Sequence, residues 1–155
     1  MAQPGQLSLK GRALRLVTGR EHSRAELERK LASHEEEPGQ LRRVLDDLQA
    51  KDFISDARFV ESVMYRRASK LGAARIKHEL QGKGVASDLV LDAVARLKTT
   101  ELARAREVWE RKFGGLPQSA AERGKQMRFL AARGFGGETI HRVLSGAPDQ
   151  EMCSI

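Results

Sequence analysis

The side chains best able to do chemistry in this sequence are arginines and lysines, which are concentrated in its middle third. Residues 53–98 carry nine of them against five acidic residues, whereas residues 1–52 carry ten against nine and residues 99–155 carry nine against seven. The cluster in the middle third comprises Arg66, Arg67, Lys70, Arg75, Lys77 and Lys83. Guanidinium and ammonium groups bind phosphates and carboxylates through charge-assisted hydrogen bonds. The cluster therefore predicts a surface for an anionic partner.

A second basic group, in the last third of the chain, could extend the same surface. It comprises Arg123, Lys125, Arg128 and Arg133. Two plainer interpretations stay open. The charges could line a solvated helix face with partners four residues away, such as Glu79 with Lys83. Arg133 could also serve only to complete a helix C-terminus, where a cation meets the negative end of the helix dipole.

No residue pattern typical of an active site or a metal centre is present. The sequence lacks Gly-x-x-x-x-Gly-Lys-[Ser/Thr], Gly-x-Gly-x-x-Gly and His-Glu-x-x-His. Its histidines are far apart and show no ligand spacing with the single cysteine, Cys153. They are His22, His34, His78 and His141. We therefore expect a binding protein with no catalytic activity, no cofactor and no metal.

Trp109 is an aromatic residue that could serve as a stacking platform for a nucleic-acid base. It lies at helical spacing with Leu102, Ala105 and Phe113, which is typical of a helix face that packs into a core. We therefore expect Trp109 to be a core residue rather than a binding residue.

The overall composition is that of a basic protein and predicts no membrane-spanning segment. The net charge is +7 and the isoelectric point is near 10.0. This balance favours nucleic acid, an anionic membrane or an acidic protein as partner, although an arginine-rich proteome produces the same balance. No run of 18 apolar residues and no secretory signal are present. We expect a cytoplasmic protein, and a monomer because no apolar seam is evident.

An internal repeat supplies the elements that would position these side chains. Residues 80–85 and 130–135 both read leucine, two residues, a basic residue, glycine and an apolar residue. An apolar helical stripe begins ten residues after each leucine. Leu31 is followed by the same stripe, but its turn is His34-Glu35-Glu36, with Pro38-Gly39 close behind. The three leucines are about 50 residues apart, which predicts three tandem units.

Each unit is predicted to contain three helices, because its apolar residues recur at i, i+3, i+4 and i+7. The Lys83-Gly84 and Arg133-Gly134 pairs are typical of helix C-termini, with glycine in the left-handed position. Ser23 with Glu26, and Ser119 with Glu122, match capping boxes. Ser55 or Asp56, and Ser87, are further candidate N-caps.

The predicted fold is all-α, with three tandem three-helix repeats in an elongated, curved body and no sheet. The predicted helices are residues 7–19, 23–34, 40–51, 55–70, 73–82, 87–98, 100–113, 119–133 and 137–145. No segment shows the period-2 alternation of a strand. The repeats are assigned to residues 1–52, 53–98 and 99–146, and residues 147–155 to a flexible tail.

Three such units in a basic chain of this length resemble the RecX family, regulatory proteins of the RecA recombinase. The resemblance is carried by residues 20–31, 53–60, 72–84, 111–114 and 129–135, and it covers residues 7–145. It implies a protein that lodges in the groove of the RecA–single-stranded DNA filament, with RecA and nearby single-stranded DNA as partners. It also implies suppression of ATP hydrolysis, strand exchange and co-protease activity, and so modulation of recombination and the SOS response. The turn at residues 34–38 departs from the family's basic-Gly-apolar turn.

Two other binding functions stay open at this point. Three-helix units also resemble helix-turn-helix proteins, whose second helix reads the major groove of DNA. Here residues 73–82 would offer Arg75, Lys77, His78 and Gln81 to the bases. Binding of DNA without regard to sequence is a variant of this function. The third possibility is a helical scaffold for some other acidic partner.

Overall fold

The computed structural model describes residues 6–146, which contain nine α-helices, one short 3₁₀ helix and no strand. The helices are α1 (Leu9–Gly19), α2 (Arg24–Leu31), α3 (Gln40–Ala50), α4 (Asp56–Arg67), α5 (Ala73–Gly82), α6 (Ser87–Lys98), α7 (Glu101–Lys112), α8 (Ala120–Ala132) and α9 (Gly137–Leu144). The 3₁₀ helix, Ala32–His34, follows α2 directly. The predicted all-α fold of three-helix units is thus confirmed. The predicted flexible tail and Cys153 lie outside the described residues.

Each successive group of three helices surrounds its own hydrophobic core. We call α1–α3 repeat 1, α4–α6 repeat 2 and α7–α9 repeat 3. The three leucines that the sequence repeat places in register, Leu31, Leu80 and Leu130, are buried one in each core. Burial of a leucine side chain contributes about 1.5–3 kcal/mol to folding. The helical periodicity therefore produces three small cores along the chain instead of one large one.

Serine side chains begin several of the helices, as the sequence predicts. The hydroxyls of Ser23, Ser55 and Ser119 each accept a hydrogen bond from the backbone N–H three residues on, at 3.1–3.2 Å. The prediction for Ser87 is wrong. The chain is already helical at that residue. The extended N-cap residue of α6 is Ala86, whose side chain has no oxygen that could accept a capping hydrogen bond.

The glutamates of the two predicted capping boxes bind elsewhere. The carboxylate of Glu122 accepts from the backbone N–H of Gln118, one residue before the capping serine. The carboxylate of Glu26 instead binds basic side chains, which are described below. The helix predicted over residues 55–70 also ends early, at Arg67, because Arg104 from α7 donates to the carbonyls of Ala68 and Leu71.

The glycine turns after α5 and α8 dock each repeat onto the one before it. Gly84 and Gly134 have φ of 75° and 90°, which confirms the left-handed conformation predicted for them. Gly84 packs so closely on Ala25 of α2 that a Cβ there would overlap the alanine side chain. Gly134 packs in the same way against the start of α5, where Gly72 N–H donates to the carbonyl of Arg133 at 2.8 Å. The two junctions therefore use equivalent elements.

The atypical turn of repeat 1 lies at the position where the other repeats have their docking glycine. The Glu35 carboxylate accepts from the N–H of Leu41 at 2.8 Å, and the Gln40 side chain accepts from the N–H of Glu36 at 2.7 Å. Gly39 is the N-cap residue of α3 and has a left-handed conformation, with φ of 84°. Among the described residues no other repeat packs on this turn, so the close approach that requires glycine at Gly84 and Gly134 does not apply here. Helix α3 still packs against α1 and α2.

We expect Gly72→Ala to destabilise the protein by about 1–3 kcal/mol, as overpacking does in a rigid site. The added Cβ would overlap the backbone of Gly134 and Phe135, which cannot move without opening the junction. Gly82→Ala is the matched control, since nothing lies within 4 Å of its Cβ position and alanine favours helix. Urea unfolding of both variants measures the difference. Equal stabilities would show that the close approach at Gly72 is not a constraint.

Candidate binding surface

Three of the six basic residues predicted in repeat 2 are engaged by the protein itself. The guanidinium of Arg67 lies 3.3 Å from the carboxylate of Glu79. Arg75 donates to the carbonyl of Ala132 in repeat 3 at 2.7 Å. Lys83 lies 3.1 Å from Glu26 in repeat 1. The alternative pairing of Glu79 with Lys83 is not formed, because the docking of repeat 2 on repeat 1 turns Lys83 toward the buried carboxylate of Glu26, and Glu79 pairs with Arg67.

Glu26 is the centre of the junction between repeats 1 and 2. Its carboxylate, 3% exposed, accepts two hydrogen bonds from Arg20, at 2.5 and 3.2 Å, and one from Lys83 at 3.1 Å. Burial by itself would raise the pKa of Glu26, but the hydrogen bonds from Arg20 and Lys83 outweigh it and lower the pKa to about 2. The carboxylate is thus ionised at neutral pH and ties the two repeats together.

A second buried carboxylate holds the junction between repeats 2 and 3. Glu101 at the start of α7 accepts from the N–H of Ala73 at 2.8 Å and from the hydroxyl of Thr139 at 3.2 Å. Nearby, Arg104 donates to three backbone carbonyls, including that of Leu97 at 2.8 Å. Desolvation by burial lowers the pKa of Arg104 from its usual value. No sequence motif marks these residues, since the groups they pair with across the junction are about 30 residues away in sequence.

Five of the other seven predicted basic residues face the solvent, and Arg123 and Arg133 are half-buried. The five exposed residues have no carboxylate within 4.0 Å among the described residues: Arg66, Lys70, Lys77, Lys125 and Arg128. Arg123 is half-buried, with one guanidinium nitrogen 3.3 Å from Nδ1 of His141. Exposed cations without a carboxylate partner keep their full charge for an external anion. They identify the part of the predicted surface that can contact a partner.

The structure brings two predicted residues together with two that the sequence analysis missed. Lys70, three residues beyond the end of α4, and Arg133 after α8 line an open pocket of about 370 Å³ with Arg111 and Lys112 of α7. Ser69, Val108 and Phe129 complete its lining. We call this set the junction pocket, because it lies between repeats 2 and 3. Sequence spacing carries no signal for it, since Lys70 meets α7 and α8 only through the docking of the repeats.

The cations of the junction pocket are arranged around the ring of Phe129. The guanidinium carbon of Arg133 lies 4.8 Å and the ammonium of Lys112 lies 5.6 Å from the ring centroid, within the range of cation–π attraction. Phe113 packs edge-on against the same ring at 5.3 Å. Arg133 thus ends its helix and also contributes to the pocket. The nearest carboxylate to Arg111 is that of Glu107, at 4.0 Å.

The single tryptophan and the single tyrosine differ in burial. Trp109 is buried, and its indole N–H donates to the side-chain carbonyl of Gln126 at 2.8 Å, which confirms its assignment to the core. Tyr65, which the sequence analysis did not single out, is 90% exposed on α4. It lies in the last turn of α4, four residues before Ser69 of the junction pocket.

The structure of residues 6–146 also bears on two other features, a membrane-spanning helix and a metal centre. No helix in this range has the length and apolar character that crossing a membrane requires. Nor do three or more histidine, cysteine, aspartate or glutamate side chains in this range gather where they could hold a metal ion.

Comparison with known proteins identifies relatives along nearly the whole chain. Family models of the first, second and third three-helix domains of RecX match residues 10–48, 55–94 and 99–144. Regulatory protein RecX of Leptothrix cholodnii is 55% identical over 139 residues, which are 90% of this chain and 88% of that protein. Regulatory protein RecX of Ralstonia nicotianae is 48% identical over 148 residues, 95% of this chain and 93% of that protein.

Solved structures share the fold. A crystal structure of regulatory protein RecX superimposes with a TM-score of 0.75 at 16% identity, over 88% of this chain and 71% of that one. The crystal structure of RecX from Lactobacillus salivarius gives a TM-score of 0.71 at 21% identity, over 89% of this chain and 93% of that one. At these identities the likeness shows that the arrangement of helices is the same.

We expect Glu26→Gln to destabilise the protein by about 2 kcal/mol above pH 5, since it removes charge-assisted hydrogen bonds at the junction. The folded pKa of Glu26, about 2, lies below its ordinary value of 4.5, so its contribution to stability is present above pH 4.5. That contribution is lost as the pH falls from 4.5 to 2. Denaturant unfolding at several pH values should therefore show the difference between variant and wild type shrinking in this window.

Glu28→Gln is the matched control, because Glu28 lies on the same helix with its carboxylate half-exposed and paired only with Arg24. Its effect should stay below about 1 kcal/mol at every pH, as for other surface ion pairs. If the two variants lost stability equally, Glu26 would not be the residue that ties the repeats together.

Proposed function

The chain belongs to the RecX family, and on that premise we propose that it regulates the RecA recombinase by lying in the groove of the RecA–single-stranded DNA filament. There it inhibits ATP hydrolysis, strand exchange and co-protease activity, and so modulates recombination and the SOS response. Its relatives are named regulatory proteins, which agrees with a role in binding and not in catalysis. The observation that carries the proposal is the set of exposed cations on repeats 2 and 3, beside a first repeat of nearly balanced charge.

The exposed cations suit a partner that carries negative charge along its length. Arg66, Lys70 and Lys77 lie on repeat 2, and Lys125 and Arg128 lie on repeat 3, so the positive surface extends over two repeats. A filament of recombinase on DNA offers phosphates and acidic side chains at a regular spacing. Attraction between the two would weaken as salt rises, because screening shortens the range of exposed charges.

The rigid junctions between the repeats explain how binding would inhibit. Buried ionic hydrogen bonds at Glu26 and Glu101 hold neighbouring repeats in one orientation. A body held in this way, when it contacts two neighbouring protomers at once, favours the one arrangement of protomers that fits it. The protomer motions that accompany ATP turnover are then opposed, and the second DNA is excluded from the groove.

The helix-turn-helix alternative receives less support from the geometry. The start of α5, where base-reading residues of a recognition helix lie, is covered by repeat 3. Ala73 is buried there, and Arg75 donates to the carbonyl of Ala132. Lys77, His78 and Gln81 remain exposed, but they lie along the later part of the helix. Protection of one particular DNA sequence in a footprint would favour this alternative over filament binding.

We expect the protein to inhibit the single-stranded-DNA-dependent ATPase of RecA at concentrations well below that of the DNA binding sites. Action on the filament requires few molecules, whereas competition for DNA requires saturation of the strand. A titration at fixed DNA and RecA measures the ratio, repeated at low and high salt. Inhibition that begins only when the DNA is saturated would contradict the proposal. Inhibition that is unchanged by salt would contradict its electrostatic part.

We expect the double variant Arg66→Glu/Lys70→Glu to raise the half-inhibitory concentration about tenfold or more, since it replaces two attractions with two repulsions. The matched control is Arg29→Glu/Arg42→Glu on repeat 1, which changes the net charge equally at exposed cations that also have no carboxylate within 4.0 Å among the described residues. The control should change inhibition much less. Equal loss in both variants would indicate attraction to overall charge, with no defined surface.

A further inference from the structure

The side chain of Tyr65 does not contribute to the packing of the fold. It is the only tyrosine of the chain, and at 90% it is more exposed than any other large apolar side chain described, including Leu91 at 65% and Phe53 at 47%. Within residues 6–146 its ring has no aromatic or cationic neighbour and its hydroxyl no hydrogen-bond partner. A flat, exposed ring of this kind is the surface on which an unpaired nucleic-acid base stacks.

The ring lies next to the junction pocket. Tyr65 lies in the last turn of α4, which ends at Arg67, and Ser69 and Lys70 of the pocket follow within three residues of that end. Lys70 follows Ser69 and is the contribution of repeat 2 to the cations of the pocket. A base on Tyr65 would therefore place its neighbouring phosphate near the rim of the pocket.

The junction pocket is built to receive an anion of high charge density. Four cations, Lys70, Arg111, Lys112 and Arg133, line it, and among the described residues the only carboxylate within 4.0 Å of any of them is Glu107, at the limit of that distance. Like charges so close together repel one another until an anion lies between them. The ring of Phe129 holds Arg133 and Lys112 in place, so less side-chain freedom is lost when a phosphate binds.

We propose that Tyr65 and the junction pocket together form a subsite for one nucleotide of single-stranded nucleic acid. The pocket receives a backbone phosphate, and Tyr65 stacks on the adjacent base. Single strands fit because the base faces of a duplex are already stacked on one another. An acidic protein segment would bind the cations but would not require the ring of Tyr65. This inference rests on the proposed function, because it identifies one ligand of the same basic surface. Binding to the subsite is nevertheless measured in the absence of RecA.

Binding of a fluorescent oligothymidylate of about 12 nucleotides, followed by anisotropy at low salt, tests the subsite. Tyr65→Ala should weaken binding about tenfold, which is typical for loss of one stacked base. Tyr65→Phe, which keeps the ring, should bind within about twofold of wild type. The matched control Leu91→Ala removes another exposed large side chain, on a helix that contributes nothing to the pocket, and should bind as wild type does.

The salt dependence of the same binding tests the pocket. Lys70→Gln should reduce the slope of log affinity against log salt by about 0.7, the value expected for one lost phosphate contact on a single strand. Lys98→Gln removes one charge from an exposed position outside the junction pocket and should leave the slope nearly unchanged. Each variant is first checked for wild-type unfolding, since these side chains are exposed.

Four outcomes would overturn the subsite. The first is absence of oligothymidylate binding by the wild type. The second is unchanged binding by Tyr65→Ala with weakened binding by Lys70→Gln, which indicates a site for phosphate alone. The third is equal loss in Lys70→Gln and Lys98→Gln, and the fourth is displacement of the oligonucleotide by polyglutamate at equal charge, which indicates an acidic protein as ligand. If the oligonucleotide results were as expected but the protein did not inhibit RecA, the proposed function would be wrong and the subsite would still be supported.

Discussion

Close contact between the glycine turn of one repeat and the second helix of the preceding repeat is the constraint on which the rest of this structure depends. Each repeat has fewer than 60 residues and a small core, a size at which a single hydrophobic core provides little net stability. Docking at Gly84 and at Gly134 adds the missing buried contact without adding residues. Only a residue without a Cβ permits the backbones to approach so closely at Gly72 and Gly134.

Buried charge makes these contacts specific. A carboxylate without partners would be costly inside the junction, but Glu26 and Glu101 each accept one hydrogen bond from the neighbouring repeat, from Lys83 and from the N–H of Ala73, besides those from their own repeat. A different orientation of the repeats would remove the two bonds that cross the junctions. The same requirement divides the basic residues of the chain. Lys83 and Arg75 bond to the neighbouring repeat and hold the fold, whereas others, such as Lys77, are exposed to solvent.

The sequence predicts the helices well because their signals are local. The spacing of leucines and valines, the serine caps at Ser23 and Ser55 and the left-handed Gly84 each depend on a few neighbouring residues. Contacts between repeats are not encoded in this way. The pairing of Lys83 with Glu26 spans 57 residues, and the approach of Lys70 to Arg111 follows from how two repeats dock. The sequence thus predicts which basic residues belong to the candidate surface. The pocket could be found only from the three-dimensional arrangement of the repeats.

The turn at residues 34–39 sets a limit on how such a chain can grow. Linear stacks of helical repeats extend by placing one more identical contact at an open end. At the repeat 1 end that contact would need a left-handed glycine after a basic residue, and the chain has three consecutive glutamates instead, Glu35, Glu36 and Glu37. A second copy cannot add there by the docking that joins the repeats within the chain. Head-to-tail stacking of copies through this contact is therefore blocked at repeat 1, so the glycine docking contacts stay within one chain.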